Sequence, residues 1–130
     1  MNIPSDMGLS GKVAIICGGG ASGEGIGNGR AAAILLAKNG VKVAVVDKDF
    51  QAAEETTNII TDFGGCSCPI EADVTKEEEC KMLARSAMKT YGRIDILDNN
   101  VGISHSGSVV DDTLDEWENL MKTNVTSMFL

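Results

Sequence analysis

KVAIICGGGASGEGIGNGRAAAILLAKNG, residues 12–40, sets a six-residue apolar and β-branched run against a cluster of glycines, and that cluster against a helical pattern. Lys12 to Cys17 reads as a buried parallel strand that ends at a turn. From Asn28 to Asn39 the apolar positions Ala31, Ile34, Leu35 and Ala37 fall near helical spacing, and Gly40 supplies the stop. Between them, seven of the twelve residues from Gly18 to Gly29 are glycine. Glycine admits positive φ and lets main-chain N–H groups approach a ligand, while the helix N-terminus that follows favours an anion. A pyrophosphate is the expected guest, held by Gly18, Gly20, Ser22, Gly23, Gly25, Ile26, Gly27, Asn28 and Gly29. A nucleoside-triphosphatase loop would need G-x-x-x-x-G-K-[ST], and no lysine followed by Ser or Thr closes this segment.

Val41 to Asp47 (VKVAVVD) predicts a second strand. Asp47 closes it 18 residues beyond Gly29, where a carboxylate accepts hydrogen bonds from both ribose hydroxyls and repels a 2′-phosphate; NAD is therefore favoured over NADP. Phe50 to Asp62 carries Ala52, Ala53, Thr56, Ile59 and Ile60 on one helical stripe, stopped by Gly64-Gly65. Cys66 to Glu71 is a weaker third strand. Thr75 to Glu78 (TKEE) has the form of a capping box, and Leu83, Ala84, Ala87, Met88 and Tyr91 continue its helix to Gly92. Ile94 to Leu97 (IDIL) gives a fourth strand ahead of the turn-forming run Asn99-Asn100-Val101-Gly102. A second capping box, Thr113 to Glu116 (TLDE), opens a helix marked by Leu114, Trp117, Met121, Val125 and Met128. The alternation β-α-β-α-β-α-β-α implies right-handed crossovers and a parallel sheet covered on both faces, a doubly wound α/β fold occupying residues 1–130 as one partial domain.

The 130 residues have ordinary globular composition, 43% hydrophobic and 23% charged. A net charge of −8 repels phosphate polymers and anionic membrane surfaces, which argues against a nucleic-acid partner. No apolar run reaches the roughly 20 residues that span a bilayer, and Met1 to Ser10 lacks the basic and apolar regions of a secretion signal. Cys17, Cys66, Cys68 and Cys80 are too irregular for a disulfide scaffold, and with His105 as the sole imidazole no four-ligand zinc site is expected. Reduced thiols in the cytoplasm fit this usage.

LSGKVAIICGGG (9–20), Asp47, Ala72-Asp73-Val74 and GRIDILDNNVGI (92–103) together resemble, in the right order, the landmarks of the N-terminal half of a short-chain dehydrogenase/reductase. The likeness runs from Leu9 to Leu130. It implies a Rossmann-like sheet with the glycine loop on the cofactor pyrophosphate, Asp73 and Val74 at the adenine, and Asn99, Asn100, Val101 and Gly102 lining the cofactor or bracing the central sheet. Asn124, in KTNV, matches the asparagine of that family's Asn-Ser-Tyr-Lys catalytic set. The sequence departs from the family at Cys17, where threonine is common, and in its longer glycine loop. Asp98 interrupts an apolar strand end and is expected to be partly solvated.

In that family the chain is about twice this length, and the catalytic serine and Tyr-x-x-x-Lys lie beyond position 130. The resemblance thus implies hydride transfer between NAD(H) and an alcohol or ketone by a completed protein, with these 130 residues inactive alone. Tyr91 is followed four positions later by Asp95 rather than lysine and reads as a core residue; His105, Ser104 and Ser106 read as an exposed loop. In the expected order 3-2-1-4 the fourth strand lies at an edge and the last helix keeps an apolar face, so a homo- or hetero-oligomer is expected. Two other readings are a non-catalytic dinucleotide-binding or interaction module and an AdoMet-dependent methyltransferase; NNVG and KTNV speak against the latter.

Overall fold

The computed structural model describes residues 7–21 and 25–130. Four strands, β1 (Val13–Cys17), β2 (Lys42–Asp47), β3 (Ser67–Glu71) and β4 (Ile96–Asn99), alternate with helices α1 (Asn28–Lys38), α2 (Phe50–Asp62), α3 (Glu77–Tyr91) and α4 (Leu114–Met121). The strands form one parallel sheet in the order β3-β2-β1-β4, as the alternating pattern requires. Every residue of β1 is buried, because both its faces are covered. Ala14 and Ile16 pack with Val43 and Val45 against Ala33 and Ala37 of α1 and Ala53 and Ile60 of α2. Ile15, Cys17, Ala44 and Val46 face the other way, onto Leu83 and Ala87 of α3. β3 is an edge strand, which is where Pro69, lacking an N–H for the ladder, is tolerated.

Several local expectations shift. The buried line of α1 is Gly29, Ala33 and Ala37, so its smallest residues meet the sheet and Leu35 faces solvent. In α2 the buried set is Ala53, Thr56, Thr57 and Ile60, with Ile59 turned outward; in α3, Met88 is likewise exposed. Tyr91 is half-buried and donates its hydroxyl to the Val43 carbonyl at 3.4 Å.

Pairing of β4 starts two residues later than the apolar run suggests. The Asp95 carboxylate accepts the Val13 N–H at 2.9 Å and is gripped by Arg93 at 2.6 Å, so residues 93–95 bracket the start of β1 and the ladder begins at Ala14 opposite Ile96. Asp98 is partly exposed, as its charge demands.

The Thr75 capping box does not form. The Thr75 hydroxyl donates instead to the Asp73 carboxylate at 2.7 Å, and Glu79 rather than Glu78 reaches back, accepting the Asp73 N–H at 2.6 Å. The Asp73 carboxylate also accepts the Thr75 N–H at 3.0 Å, the donor that the box would assign to Glu78, and α3 starts at Glu77 with Lys76 as an N-cap that makes no side-chain cap bond.

The second box does form: Thr113 accepts the Glu116 N–H, and the Glu116 carboxylate accepts the Thr113 N–H at 2.7 Å. Thr113→Ala is expected to cost about 1 kcal/mol in denaturant melts. A five-residue π-helical segment, Lys122–Thr126, follows α4 and leads into a short α-turn, Ser127–Phe129.

Candidate functional site

The strand order reverses between β1 and β4, and a cleft of about 660 Å³ opens at the carboxyl ends of β1, β2 and β4. Its floor is the turn after β1. Gly18, at φ 76°, takes a left-handed backbone that β-branched residues avoid, and its N–H and that of Gly19 both donate to the Val46 carbonyl, at 2.8 and 3.0 Å. A Cβ on Gly20 would stand 2.6 Å from Asp47 Oδ2 and 2.7 Å from the Ala52 Cβ; one on Gly29 would run into the Gly18 carbonyl. The backbone of the loop and of α1 therefore come together at separations only glycine allows.

The α1 N-terminus lies on the cleft. Gly27 is its N-cap, no side chain caps it, and no acid stands in its first turn. α3 and α4, by contrast, carry acids there. Its first-turn N–H groups and the positive end of the helix dipole face the cleft at Asn28 and Gly29, a setting that attracts an anion.

Asp47 lies across the cleft at the end of β2. Its Oδ2 accepts the Gly20 N–H and its Oδ1 the Asp49 N–H, both at 3.1 Å, which fixes the carboxylate while leaving each oxygen a further lone pair. Lys48 is exposed beside it. Asp73 and Val74 form the next stretch of wall. The Thr75 hydroxyl and N–H, with Lys76 nearby, hold the Asp73 carboxyl below its ordinary range.

Asn100, Val101 and Gly102 close the remaining side, with the Asn100 N–H donating to the Cys17 carbonyl at 3.1 Å. Gly18, Gly20, Gly27, Asn28, Gly29, Asp47, Asp73, Val74, Asn100, Val101 and Gly102 thus share one cleft. Gly25 and Ile26 are exposed outside it, and Asn99 points to the opposite side of β4; Ser22 and Gly23 lie outside the described residues.

Asn124 does not itself line the cleft but is bonded to its wall. Its side-chain amide donates to the Ile103 carbonyl and its carbonyl accepts the Ile103 N–H, both at 2.8 Å, so it clamps the segment after β4 to the π-helical turn. Such widened turns are frequent at functional sites, and this one brings Lys122 and Thr123 to the cleft. The 3–4 residue apolar spacing of α4 runs straight through it, so the sequence carries no mark of this feature. His105 is exposed but not idle: its Nε2 lies 3.0 Å from Asp112 and 3.7 Å from Glu116, folding the loop onto the start of α4.

Cys17 is chemically quiet. Burial, helped by Cys80 and Asp98 nearby, pushes its thiol to about 12, so at neutral pH it is a protonated core residue beneath the loop.

No helix among the described residues is long and apolar enough to cross a membrane. A family model described as short chain dehydrogenase matches residues 12–130. The chain is 34% identical over 122 residues to an uncharacterized oxidoreductase of Thermotoga maritima, covering 94% of this chain and 46% of that protein. It is 36% identical over 124 residues to glucose 1-dehydrogenase 2 of Bacillus subtilis, with coverage of 94% and 46%. Among solved structures, a short-chain type dehydrogenase/reductase from Mycobacterium marinum superposes with a TM-score of 0.90 at 31% identity, over 99% of this chain and 50% of that one. The 3-ketoacyl-(acyl-carrier-protein) reductase of Brucella melitensis, solved in complex with NADH, gives 0.84 at 33% identity, over 94% and 47%. The chain spans about half the length of the relatives it matches. With a β3-β2-β1-β4 sheet, a glycine cleft at its switch point and this match over nearly all of its length, the chain belongs to the short chain dehydrogenase family.

Proposed function

We propose that this chain is the NAD-binding half of an oxidoreductase that transfers hydride between NAD(H) and an alcohol or ketone. The observation that carries this reading is the pairing of an uncapped, acid-free helix N-terminus with a fixed carboxylate at the end of β2 across one cleft. The N–H groups of the loop and of the first turn of α1 bind the pyrophosphate, and Asp47 accepts the ribose hydroxyls. Asp73 and Val74 border the adenine, and Asn100, Val101 and Gly102 flank the rest of the dinucleotide. The close glycine contacts support this fit, since a side chain at Gly20 would strike Asp47 and Ala52 and one at Gly29 the Gly18 carbonyl, displacing the loop from Asp47 and from α1. When bound, the nicotinamide ring supplies or accepts the hydride. A carboxylate at the ribose favours NAD over NADP because it repels a 2′-phosphate.

Asn124 acts here by bracing Ile103 and the wall after β4. Of the family's Asn-Ser-Tyr-Lys set only Asn124 is matched within these 130 residues, which supports the reading that they bind the dinucleotide without turning over by themselves. The exposed Trp117, Met121, Val125 and Met128 support association through the α4 face, with a second copy or with a longer relative. Four free cysteines are consistent with a reducing, cytoplasmic setting.

Titration calorimetry with NAD+, NADP+ and AdoMet tests the reading, together with a panel of secondary alcohols assayed for hydride transfer. NAD+ is expected to bind most tightly, AdoMet not to compete, and no alcohol to be oxidised. Binding of AdoMet in place of NAD+ would overturn the assignment, and turnover would overturn the inactivity.

A further inference from the structure

Thr56 is a fully buried hydroxyl in the middle of α2. It donates to the Gly19 carbonyl at 2.8 Å, with the Ala52 carbonyl of its own helix more distant at 3.3 Å. It accepts in turn from Arg30 Nε at 2.9 Å. Arg30 stands in the first turn of α1 with a largely buried side chain, and its Nη2 reaches the Glu55 carboxylate at 3.1 Å and the Ala52 carbonyl at 3.4 Å. A cation one residue past the glycine loop is thus turned into the α1–α2 contact and does not line the cleft.

The carbonyl of Gly19 and the N–H of Gly20 belong to one planar peptide unit and point in opposite directions. Pinning that carbonyl to Thr56 therefore fixes where the Gly20 N–H points, and it points at Asp47 Oδ2, 3.1 Å away. Both residues flanking this unit are glycines, so no side chain restrains its rotation, and the hydroxyl beneath it is the restraint. A guanidinium donating to the hydroxyl oxygen polarises the O–H and strengthens its grip on the carbonyl.

We propose that Thr56, held by Arg30, is a positioning residue for the dinucleotide site: it locks the Gly19–Gly20 peptide and, through it, the Asp47 carboxylate. This rests on the reading of the site given above. Thr56 touches neither cofactor nor substrate, and it acts by removing the loop rotations that binding would otherwise have to freeze.

The test compares NAD+ affinity and thermal stability in wild type, Thr56→Val and Thr56→Ser. Valine keeps the shape and removes the hydroxyl; serine keeps the hydroxyl and leaves a small void. Thr56→Val is expected to weaken NAD+ binding roughly tenfold, the equivalent of one lost hydrogen bond, and to speed amide exchange at Gly20 in the unliganded chain. Thr56→Ser is expected to bind like wild type even though it melts lower, a split that a purely structural residue would not give. Should Thr56→Val fail to fold, Arg30→Lys, which keeps the charge by Glu55 but loses the Nε donor, carries the test with an expected weakening of about threefold. Wild-type affinity in the variant used, or Thr56→Ser as weak as Thr56→Val, overturns the proposal. Absence of NAD+ binding by wild type overturns the reading of the site itself, a result separable from both.

Discussion

Gly29→Ala is expected to lower the free energy of unfolding by about 3 kcal/mol, the upper part of the range for forcing a carbon into a filled site. The added methyl would occupy the place of the Gly18 carbonyl oxygen, and that obstacle is backbone rather than the movable end of a side chain. Gly18 cannot retreat easily, because its own N–H is tied to the Val46 carbonyl at 2.8 Å and Val101 closes in from the segment after β4. Relief would come from sliding α1 away from β1 and opening the Ala33 and Ala37 contacts with the sheet. Urea melts monitored at Trp117 and by far-ultraviolet dichroism would measure the loss, and NAD+ titration of the folded fraction should show binding abolished. An alanine variant as stable as wild type would mean that the loop and α1 are farther apart than described here.

Asp47→Ala gives the second large effect, on affinity rather than on stability. On the proposed reading, two charge-assisted hydrogen bonds to ribose hydroxyls would be lost, and the Gly20 and Asp49 N–H groups lose their acceptor. NAD+ binding is expected to weaken roughly 10- to 100-fold, in line with hydrogen bonds to a charged group. NADP+ should lose little, since the charge proposed to repel its 2′-phosphate would be gone while Lys48 stays beside the site. The ratio of the two dissociation constants, measured by calorimetry at one ionic strength, is the cleanest readout. A ratio unchanged by the substitution would remove Asp47 from the ribose.

The parallel order of the sheet was legible because the KVAIIC and VKVAVVD runs carry no alternation, and only strands covered on both faces read that way. α2, Phe50–Asp62, has the bounds its stripe implies, because Asp49 caps it and Gly64 turns the chain beyond it. The displaced start of β4 and the failed Thr75 box share one cause. In each, an aspartate, Asp95 or Asp73, takes up a donor that local pattern assigns elsewhere, and its partner comes from elsewhere in the chain or from an overlooked neighbour.

Of the cleft and the residues beneath it, Gly18, Gly20, Gly27, Gly29 and Asp47 could be picked out from type and spacing. Thr56 and Arg30 could not: one sits on an apolar stripe, the other in a helix, and only the packing of α2 under the loop joins them. The clamp between Asn124 and Ile103 depends on a π-helical turn that leaves no trace in apolar spacing.

Amide hydrogen exchange of the 130-residue chain, with and without saturating NAD+, tests most directly whether the loop after β1 grips a pyrophosphate. Slowed exchange is predicted at Gly20 and at the amides of Asn28, Gly29 and Arg30, with α3 and α4 unchanged. Equal exchange at all four amides in the two states, or protection confined to other parts of the chain, would contradict the account.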